Sequence, residues 1–271
     1  GDEYAGPIAL FTLGTEVGPA EISGRVMIVP AFNYPAFRAG TRTSPIDKGN
    51  LNRVFPGRPD GGVTEKIADY FQRHLLPLAD VVLDIHSGGK TLQFLPFACA
   101  HLLDDKAQQA RCVAAMAAFN APYSLMLLEI DSMGMYDGAA EAMGKIFVST
   151  ELGGGGSASA ETAEIARRGT RNLLVHAGIL KGKIERRPSM KLDMPDGDCY
   201  VISEHGGLFE LCVDLGAAVR KGDVIARIHD PARTGALPVE YRAKMDGMLI
   251  GRHFPGLIQS GDFLAAVAVP A

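Results

Sequence analysis

Two stretches of the chain decide its fold. Residues 80–86 read DVVLDIH and residues 145–151 read KIFVSTE. Each is a short apolar run, rich in β-branched residues, that ends on a titratable side chain and is followed by a glycine turn. Such runs are typical of buried strands. We therefore expect two interior strands, with His86 and Glu151 at their carboxyl ends.

Helical patterns alternate with these strands. Residues 64–74, 105–119 and 161–177 carry apolar side chains at helical spacing, and residues 25–31 (RVMIVPA) predict one more buried strand. The alternation predicts an α/β fold with a mostly parallel or mixed central sheet and helices on both of its faces. Ligands of such sheets bind beyond the carboxyl ends of the strands.

The pattern changes after Gly178. Residues 181–187 form a basic, polar linker, and short alternating segments punctuated by glycines follow. We predict an α/β domain at residues 1–180 and a small all-β, barrel-like domain at residues 190–271. Residues 219–226 (VRKGDVIA) and 243–247 (AKMDG) make the last part of the chain resemble a lipoyl or biotinyl carrier domain. Lys244 does not lie in a hairpin-tip motif, so we interpret the domain as structural.

The composition excludes several classes of function. The 271 residues carry a formal net charge of -4, with no long basic or acidic run, so we expect neither nucleic acid nor a membrane surface as a partner. No apolar run approaches the ~20 residues that span a bilayer. The four cysteines form no C-x-x-C pair, which favours reduced thiols in the cytoplasm and argues against a cysteine-based metal site. The oligomeric state stays open, and a homo-oligomer is one alternative.

His86 and Glu151 are the first candidates for chemistry. A lone histidine at a strand end is more often structural than a ligand. Asp84, however, shares its strand face and could hold the second ring nitrogen of a metal-bound imidazole. A carboxylate at the end of a buried strand is costly unless it is paired or functional. Glu151 is therefore either an ion-pair partner or a general base.

A polar loop upstream holds the candidate substrate ligands. Residues 49–57 read GNLNRVFPG, and Arg42 precedes them. The planar fork of Arg53 can grip a carboxylate through two hydrogen bonds, and Asn52 adds amide donors. The alternative for each arginine is an ordinary surface position.

These motifs together resemble the aspartoacylase and succinylglutamate desuccinylase family, a branch of the zinc carboxypeptidase-like fold. Glu3, the Asn52-Arg53-Val54-Phe55 segment, the Asp84-Ile85-His86 strand end and the Glu151-Leu152-Gly153 turn follow in the family's order. The resemblance implies Zn²⁺ held by Glu3 and His86, Glu151 as the base, and Arg42 at the oxyanion. It also implies that Asn52 and Arg53 bind the α-carboxylate of a small N-acyl amino acid.

The loop at residues 39–57 further resembles the subgroup that deacetylates Nα-acetyl-2,4-diaminobutyrate in ectoine breakdown. For a cationic substrate side chain, Glu129 and Asp131 are candidate partners, with a solvated loop as the alternative. One family ligand is missing, because the first zinc-binding histidine would immediately precede Gly1. We expect that the chain continues upstream. A metal-free binding or regulatory protein and a carboxypeptidase acting on short peptides remain the alternatives.

Overall fold

The computed structural model describes residues 1–129 and 133–271. The helices are Ala5–Glu16 (α1), Tyr34–Ala39 (α2), Val63–Tyr70 (α3), Lys106–Phe119 (α4), Tyr136–Ala142 (α5) and Ala160–His176 (α6). The strands are Val81–His86 (β1), Leu92–Phe94 (β2), Phe97–His101 (β3), Tyr123–Leu127 (β4), Ile146–Glu151 (β5), Met190–Asp193 (β6), Tyr200–Ile202 (β7), Gly207–Leu211 (β8), Ala218–Val219 (β9), Val224–His229 (β10), Val239–Arg242 (β11), Gly247–His253 (β12), Leu257–Ile258 (β13) and Phe263–Pro270 (β14).

Two of the predicted helices begin at side chains that cap free backbone N–H groups. Asp105 precedes α4 and accepts the N–H groups of Ala107 and Gln108 at 2.8 and 3.1 Å. Ser159 precedes α6 and accepts the N–H of Thr162 at 3.1 Å. Such caps satisfy donors that a helix leaves unpaired at its first turn. The helices predicted from the apolar spacing therefore form close to their expected bounds.

The central sheet is mixed, and its strand order places the carboxyl ends of β1 and β5 side by side. It contains ten strands, eight of them in the order β1-β5-β3-β4-β6-β14-β12-β2, with β7 and β9 attached to β14 and β12. Strands β1 and β5 run parallel, so that His86 lies opposite Glu151. Strand β3 runs antiparallel to β5 and brings Phe97 opposite Glu151. The predicted fold class is confirmed.

Helices cover both faces of this sheet. On one face, α1, α4 and α6 pack over a core that includes Ala98 and Val148. On the other face, α3 and α5 pack against Val82 and Phe147. Side chains alternate between the faces of a strand, so His86 and Glu151 point to the same side as Val82 and Phe147. That side contains the cavity described below.

The C-terminal part adds a second sheet. Its four antiparallel strands follow the order β11-β10-β8-β13. One hydrophobic cluster there consists of residues from Val201 onwards, which supports a separate folding unit. The main sheet nevertheless continues into this part, because β2 pairs with β12 and β6 pairs with β14. We propose to keep the division at 1–180 and 190–271, with these ladders joining the two units.

One predicted strand is wrong. Residues 25–31 form no strand, and Met27, Ile28 and Val29 are each more than a third exposed. A strand needs a neighbour to pair its backbone groups. The segment lines the same cavity as β1, which is the edge of the sheet, without pairing with it. Apolar β-branched composition therefore did not suffice to form a strand.

No helix in the described part of the chain is both long enough and apolar enough to cross a membrane.

Candidate active site

The carboxyl ends of β1 and β5 open into a cavity of about 680 Å³. His86 and Glu151 are partners in the parallel ladder and both line this cavity. The turn after β5 lies tightly against the chain: Gly153 adopts a φ of +78°, and its carbonyl accepts the N–H of Gly88 at 3.1 Å. The glycines after each strand thus allow both functional ends to approach closely.

A histidine held between two carboxylates forms the centre of the site. Nδ1 of His86 lies 2.9 Å from Oε2 of Glu3, and Nε2 lies 2.9 Å from Oδ2 of Asp84. The same Glu3 oxygen accepts the backbone N–H of Ser87 at 2.8 Å. The family resemblance implied that Glu3 and His86 share a metal ion, and the strand geometry predicted Asp84 at the second ring nitrogen of His86. In the structure, the His86 ring contacts both carboxylates.

The contacts shift the pKa values of the pair. Burial alone would lower the pKa of His86, but the charges of Asp84 and Glu3 and their hydrogen bonds raise it well above its usual value. Burial would raise the pKa of Glu3, and His86 together with the Ser87 N–H lowers it instead. The Glu3 carboxylate therefore favours its ionised form, which is the state that binds a cation.

Glu151 is the third member of the site. Its Oε2 is buried and has no hydrogen-bond partner among the described residues. Burial, followed by the charge of Glu3, raises its pKa to about 8, although His86 and Arg42 act in the opposite direction. A buried carboxylate oxygen without a partner is costly, and a bound cation or water in the cavity would satisfy it.

The donor set suits zinc. Zinc binds imidazole nitrogen and carboxylate oxygen, and its histidine ligands usually donate their second N–H to a carboxylate. His86 meets this pattern: Nδ1 faces Glu3 and Nε2 faces Asp84. Glu3 and His86 could thus supply two of the three protein ligands that catalytic zinc sites commonly use.

The predicted substrate ligands line the same cavity. Arg42, Asn52 and Arg53 all border it. Oδ1 of Asn52 accepts the backbone N–H of Tyr136 at 2.8 Å, which ties this loop to the start of α5. Arg53 donates to the carbonyl of Asn52 at 2.5 Å, and its side chain is otherwise exposed. The predicted residue Asp131 lies outside the described residues.

A second polar cluster consists of His101, Glu129 and Asp137, which line the cavity, and of Glu141, which contacts Nδ1 of His101; we call it the acidic recess. Sequence reasoning singled out only Glu129 of these four. One atom each of His101, Glu129 and Asp137 lies within 4.8 Å of the other two, an arrangement that can hold a cation. His101 ends β3 as His86 ends β1, and this parallel was the signal available in the sequence.

Comparison with known proteins agrees with this geometry. The catalytic-domain model of the succinylglutamate desuccinylase/aspartoacylase family matches residues 1–177. The N-alpha-acetyl-L-2,4-diaminobutyric acid deacetylase of Halomonas elongata is 54% identical over 270 residues, which make up 99% of this chain and 79% of that protein.

Solved structures are similar over nearly the whole chain. The product-bound ectoine utilization protein EutE of Ruegeria pomeroyi has a TM-score of 0.98 at 65% identity, over 99% of this chain and 82% of that one. A succinylglutamate desuccinylase from Silicibacter sp. has a TM-score of 0.96 at 63% identity, over 100% of this chain and 82% of that one.

Proposed function

The chain belongs to the succinylglutamate desuccinylase/aspartoacylase family and is an amide hydrolase, and we propose that it removes the acetyl group of Nα-acetyl-2,4-diaminobutyrate with the help of zinc. The observation that carries this proposal is the contact of Glu3, His86 and Asp84 beside the unpartnered Glu151 in one cavity. The substrate is that of the Halomonas relative.

Glu3 and His86 are the residues that would hold the metal. Zinc, when bound, polarises a carbonyl group and lowers the pKa of a bound water. Asp84 keeps the imidazole in one orientation through its bond to Nε2. The Ser87 N–H does the same for the Glu3 carboxylate. Such supporting contacts hold ligands in place before the metal arrives.

Glu151 moves the proton. Its unpartnered oxygen faces the cavity at the end of the strand adjacent to His86. A cation beside it favours its ionised form, so it can accept a proton from the attacking water. The protonated carboxyl then returns that proton to the nitrogen of the leaving amine.

The arginines act on the substrate. Arg42 is close enough to influence the charge of Glu151, and it would stabilise the negative charge that develops on the amide oxygen. Arg53 would hold the α-carboxylate through its planar fork, and the amide of Asn52 would donate to the same group. Together they would orient the scissile amide toward Glu151.

The cysteines bear on the compartment in which the protein works. All four cysteines are free thiols. Reduced thiols are typical of the cytoplasm, which we propose as the compartment, with small N-acyl amino acids rather than macromolecules as partners.

The replacement Glu151→Gln tests the base. We expect zinc content, measured by mass spectrometry, to stay at the wild-type level, and kcat for Nα-acetyl-2,4-diaminobutyrate to fall at least ~100-fold because the proton acceptor is gone. Glu204→Gln, an exposed carboxylate away from the cavity, is the matched control. Turnover of Glu151→Gln at the wild-type rate would exclude the assigned role.

A substrate panel separates the alternatives. Nα-acetyl-2,4-diaminobutyrate, N-acetylaspartate, Nα-succinylglutamate and a short peptide differ in acyl group, side chain and free carboxylate. Preferred cleavage of the first supports the proposal, and preferred cleavage of the peptide supports a carboxypeptidase. A zinc-free protein that binds these molecules without cleaving them would support the metal-free alternative.

A further inference from the structure

The acidic recess lies in the same cavity as the proposed base, but further along the sheet. The ring of His101 stacks on that of Phe147, with 6.5 Å between the centroids. Phe147 precedes Glu151 by four residues on β5, which is about 13 Å of strand at about 3.3 Å per residue. Cys99 lies between the two groups and is close enough to Glu151, Asp137 and Glu129 for all three to affect its pKa.

One buried nitrogen in the recess has no hydrogen-bond partner. His101 is only 5% exposed. Its Nδ1 lies 2.9 Å from Oε1 of Glu141, whereas its Nε2 makes no hydrogen bond within the described part of the chain. The nearest carboxylate oxygen to Nε2, from Glu129, is 3.8 Å away, too far for a hydrogen bond.

The contact with Glu141 defines what Nε2 can do. When Nδ1–H donates to Glu141, the neutral ring leaves Nε2 as an acceptor that points into the recess. Burial would lower the pKa of His101, but Glu141, Glu129 and Asp137 raise it overall, whereas a positive charge bound beside the ring favours the neutral form. The recess then presents three acceptors: Nε2 of His101 and one carboxylate oxygen each from Glu129 and Asp137.

The spacing of these acceptors fits a primary ammonium group. An ammonium group has three N–H donors and no acceptor. With hydrogen bonds of about 2.9 Å in a tetrahedral arrangement, its three acceptors lie about 4.7 Å apart. One atom each of His101, Glu129 and Asp137 lies within 4.8 Å of the other two, and Nε2 of His101 is 3.8 Å from Oε1 of Glu129. This distance lies between the ammonium value and the about 3.4 Å that separates zinc ligands at about 2.1 Å in a tetrahedral site, so the metal analysis described below decides between the two occupants.

We propose that the acidic recess binds the 4-ammonium group of 2,4-diaminobutyrate and thereby selects this side chain over those of aspartate and glutamate. The inference rests on the proposed function for the identity of the substrate. In extended form the substrate spans about 6 Å from its scissile carbonyl carbon to the terminal nitrogen, by standard bond lengths. With contacts of about 3 Å at each end the substrate reaches about 12 Å, which is comparable with the about 13 Å of strand between Phe147, the neighbour of His101, and Glu151.

The charge of the recess explains the direction of the selection. Three carboxyl groups surround one imidazole, and Glu129, Asp137 and Glu141 are all largely buried. A carboxylate side chain placed among them would add a further negative charge away from water, which is unfavourable. An ammonium group instead neutralises charge and satisfies Nε2 of His101.

Paired ligands test the recess. The products 2,4-diaminobutyrate and 2-aminobutyrate differ only in the terminal ammonium group, and so do their Nα-acetyl derivatives. We expect wild-type protein to bind the diamino product more tightly in calorimetry, by about 10- to 100-fold, since hydrogen bonds to a charged group are lost in the analogue. The kcat/KM ratio of the acetylated pair should show the same preference.

The replacement Glu129→Gln should reduce that preference to within a few-fold and leave the 2-aminobutyrate compounds unaffected. Glu129→Asp should restore part of it, and Glu204→Gln should keep all of it. Equal losses for both ligands would mean a structural role and would overturn the proposal. A second equivalent of tightly bound metal that disappears in Glu129→Gln would overturn it in favour of a metal site.

The proposed deacetylation and the proposed ammonium site in the acidic recess can be refuted independently. If wild-type protein cleaves neither acetylated compound, the proposed reaction is wrong, but calorimetry with the free amino acids still tests the recess. If it cleaves both equally well and binds both products equally, the reaction stands and the recess is not the side-chain site. Circular dichroism melting of Glu129→Gln establishes that the variant is folded.

Discussion

The hydrogen bond between Asp84 and His86 supports the most detailed prediction. Asp84 contacts Nε2 of His86 at 2.9 Å, whereas Glu3 contacts Nδ1, the other nitrogen of the same ring. The replacement Asp84→Asn keeps the size of the side chain and removes its charge. Asp84→Ala removes both the charge and the hydrogen bond.

The magnitude follows from the geometry. The Asp84 side chain is 22% exposed and that of His86 is 27% exposed, so solvent screens their interaction only in part. Loss of a carboxylate behind a metal-bound histidine typically weakens metal binding by about 10- to 100-fold. We expect Asp84→Asn near the lower end of this range, because its amide oxygen can still accept the imidazole N–H, and Asp84→Ala near the upper end.

Competition with a chromophoric chelator measures the zinc dissociation constant. Asp80→Asn is the matched control, because Asp80 directly precedes the same strand at its opposite end and is exposed. Equal zinc affinity in the wild type, Asp84→Asn and Asp84→Ala would refute the reasoning. A larger loss of zinc affinity in Asp84→Asn than in Asp84→Ala would also contradict it, because we expect the asparagine side chain to keep the hydrogen bond that alanine cannot make.

Two further predictions concern the loop that carries the arginines. Arg53→Ala should mainly raise KM for substrates with a free α-carboxylate. An equal rise in KM for the methyl esters of these substrates in steady-state assays would rule out that Arg53 binds the α-carboxylate. Asp47→Ala should lower the free energy of unfolding by about 2 kcal/mol in urea titrations, since Asp47 accepts the N–H and hydroxyl of buried Thr64 at 2.7 and 2.8 Å. Burial would raise the pKa of Asp47, but these bonds lower it to about 2. The folded-state pKa of Asp47 is thus below its unfolded value, so Asp47 stabilises the fold fully above pH 3.8 and loses this effect as the pH falls through about 2. The difference in free energy of unfolding between wild type and Asp47→Ala should therefore shrink on acidification. A difference that grows instead would contradict the argument.

The sequence by itself determined the local structure and the chemical type of the site. Short β-branched runs that end in glycine turns predicted β1 and β5, and apolar spacing predicted α4 and α6. These signals are readable because they depend on neighbours within a few residues. The order of the motifs also indicated the family, which the comparisons confirm.

Only the tertiary structure decided which distant groups meet. Residues 25–31 have the composition of a strand, yet they pair with no described neighbour. The local sequence cannot predict whether such a neighbour is present. His101, Glu129 and Asp137 come from three separate elements, and they converge because β3 runs antiparallel to β5 while α5 packs over the same face. Strand direction and helix docking depend on burial across the whole sheet, so the acidic recess could not be derived from spacing along the chain.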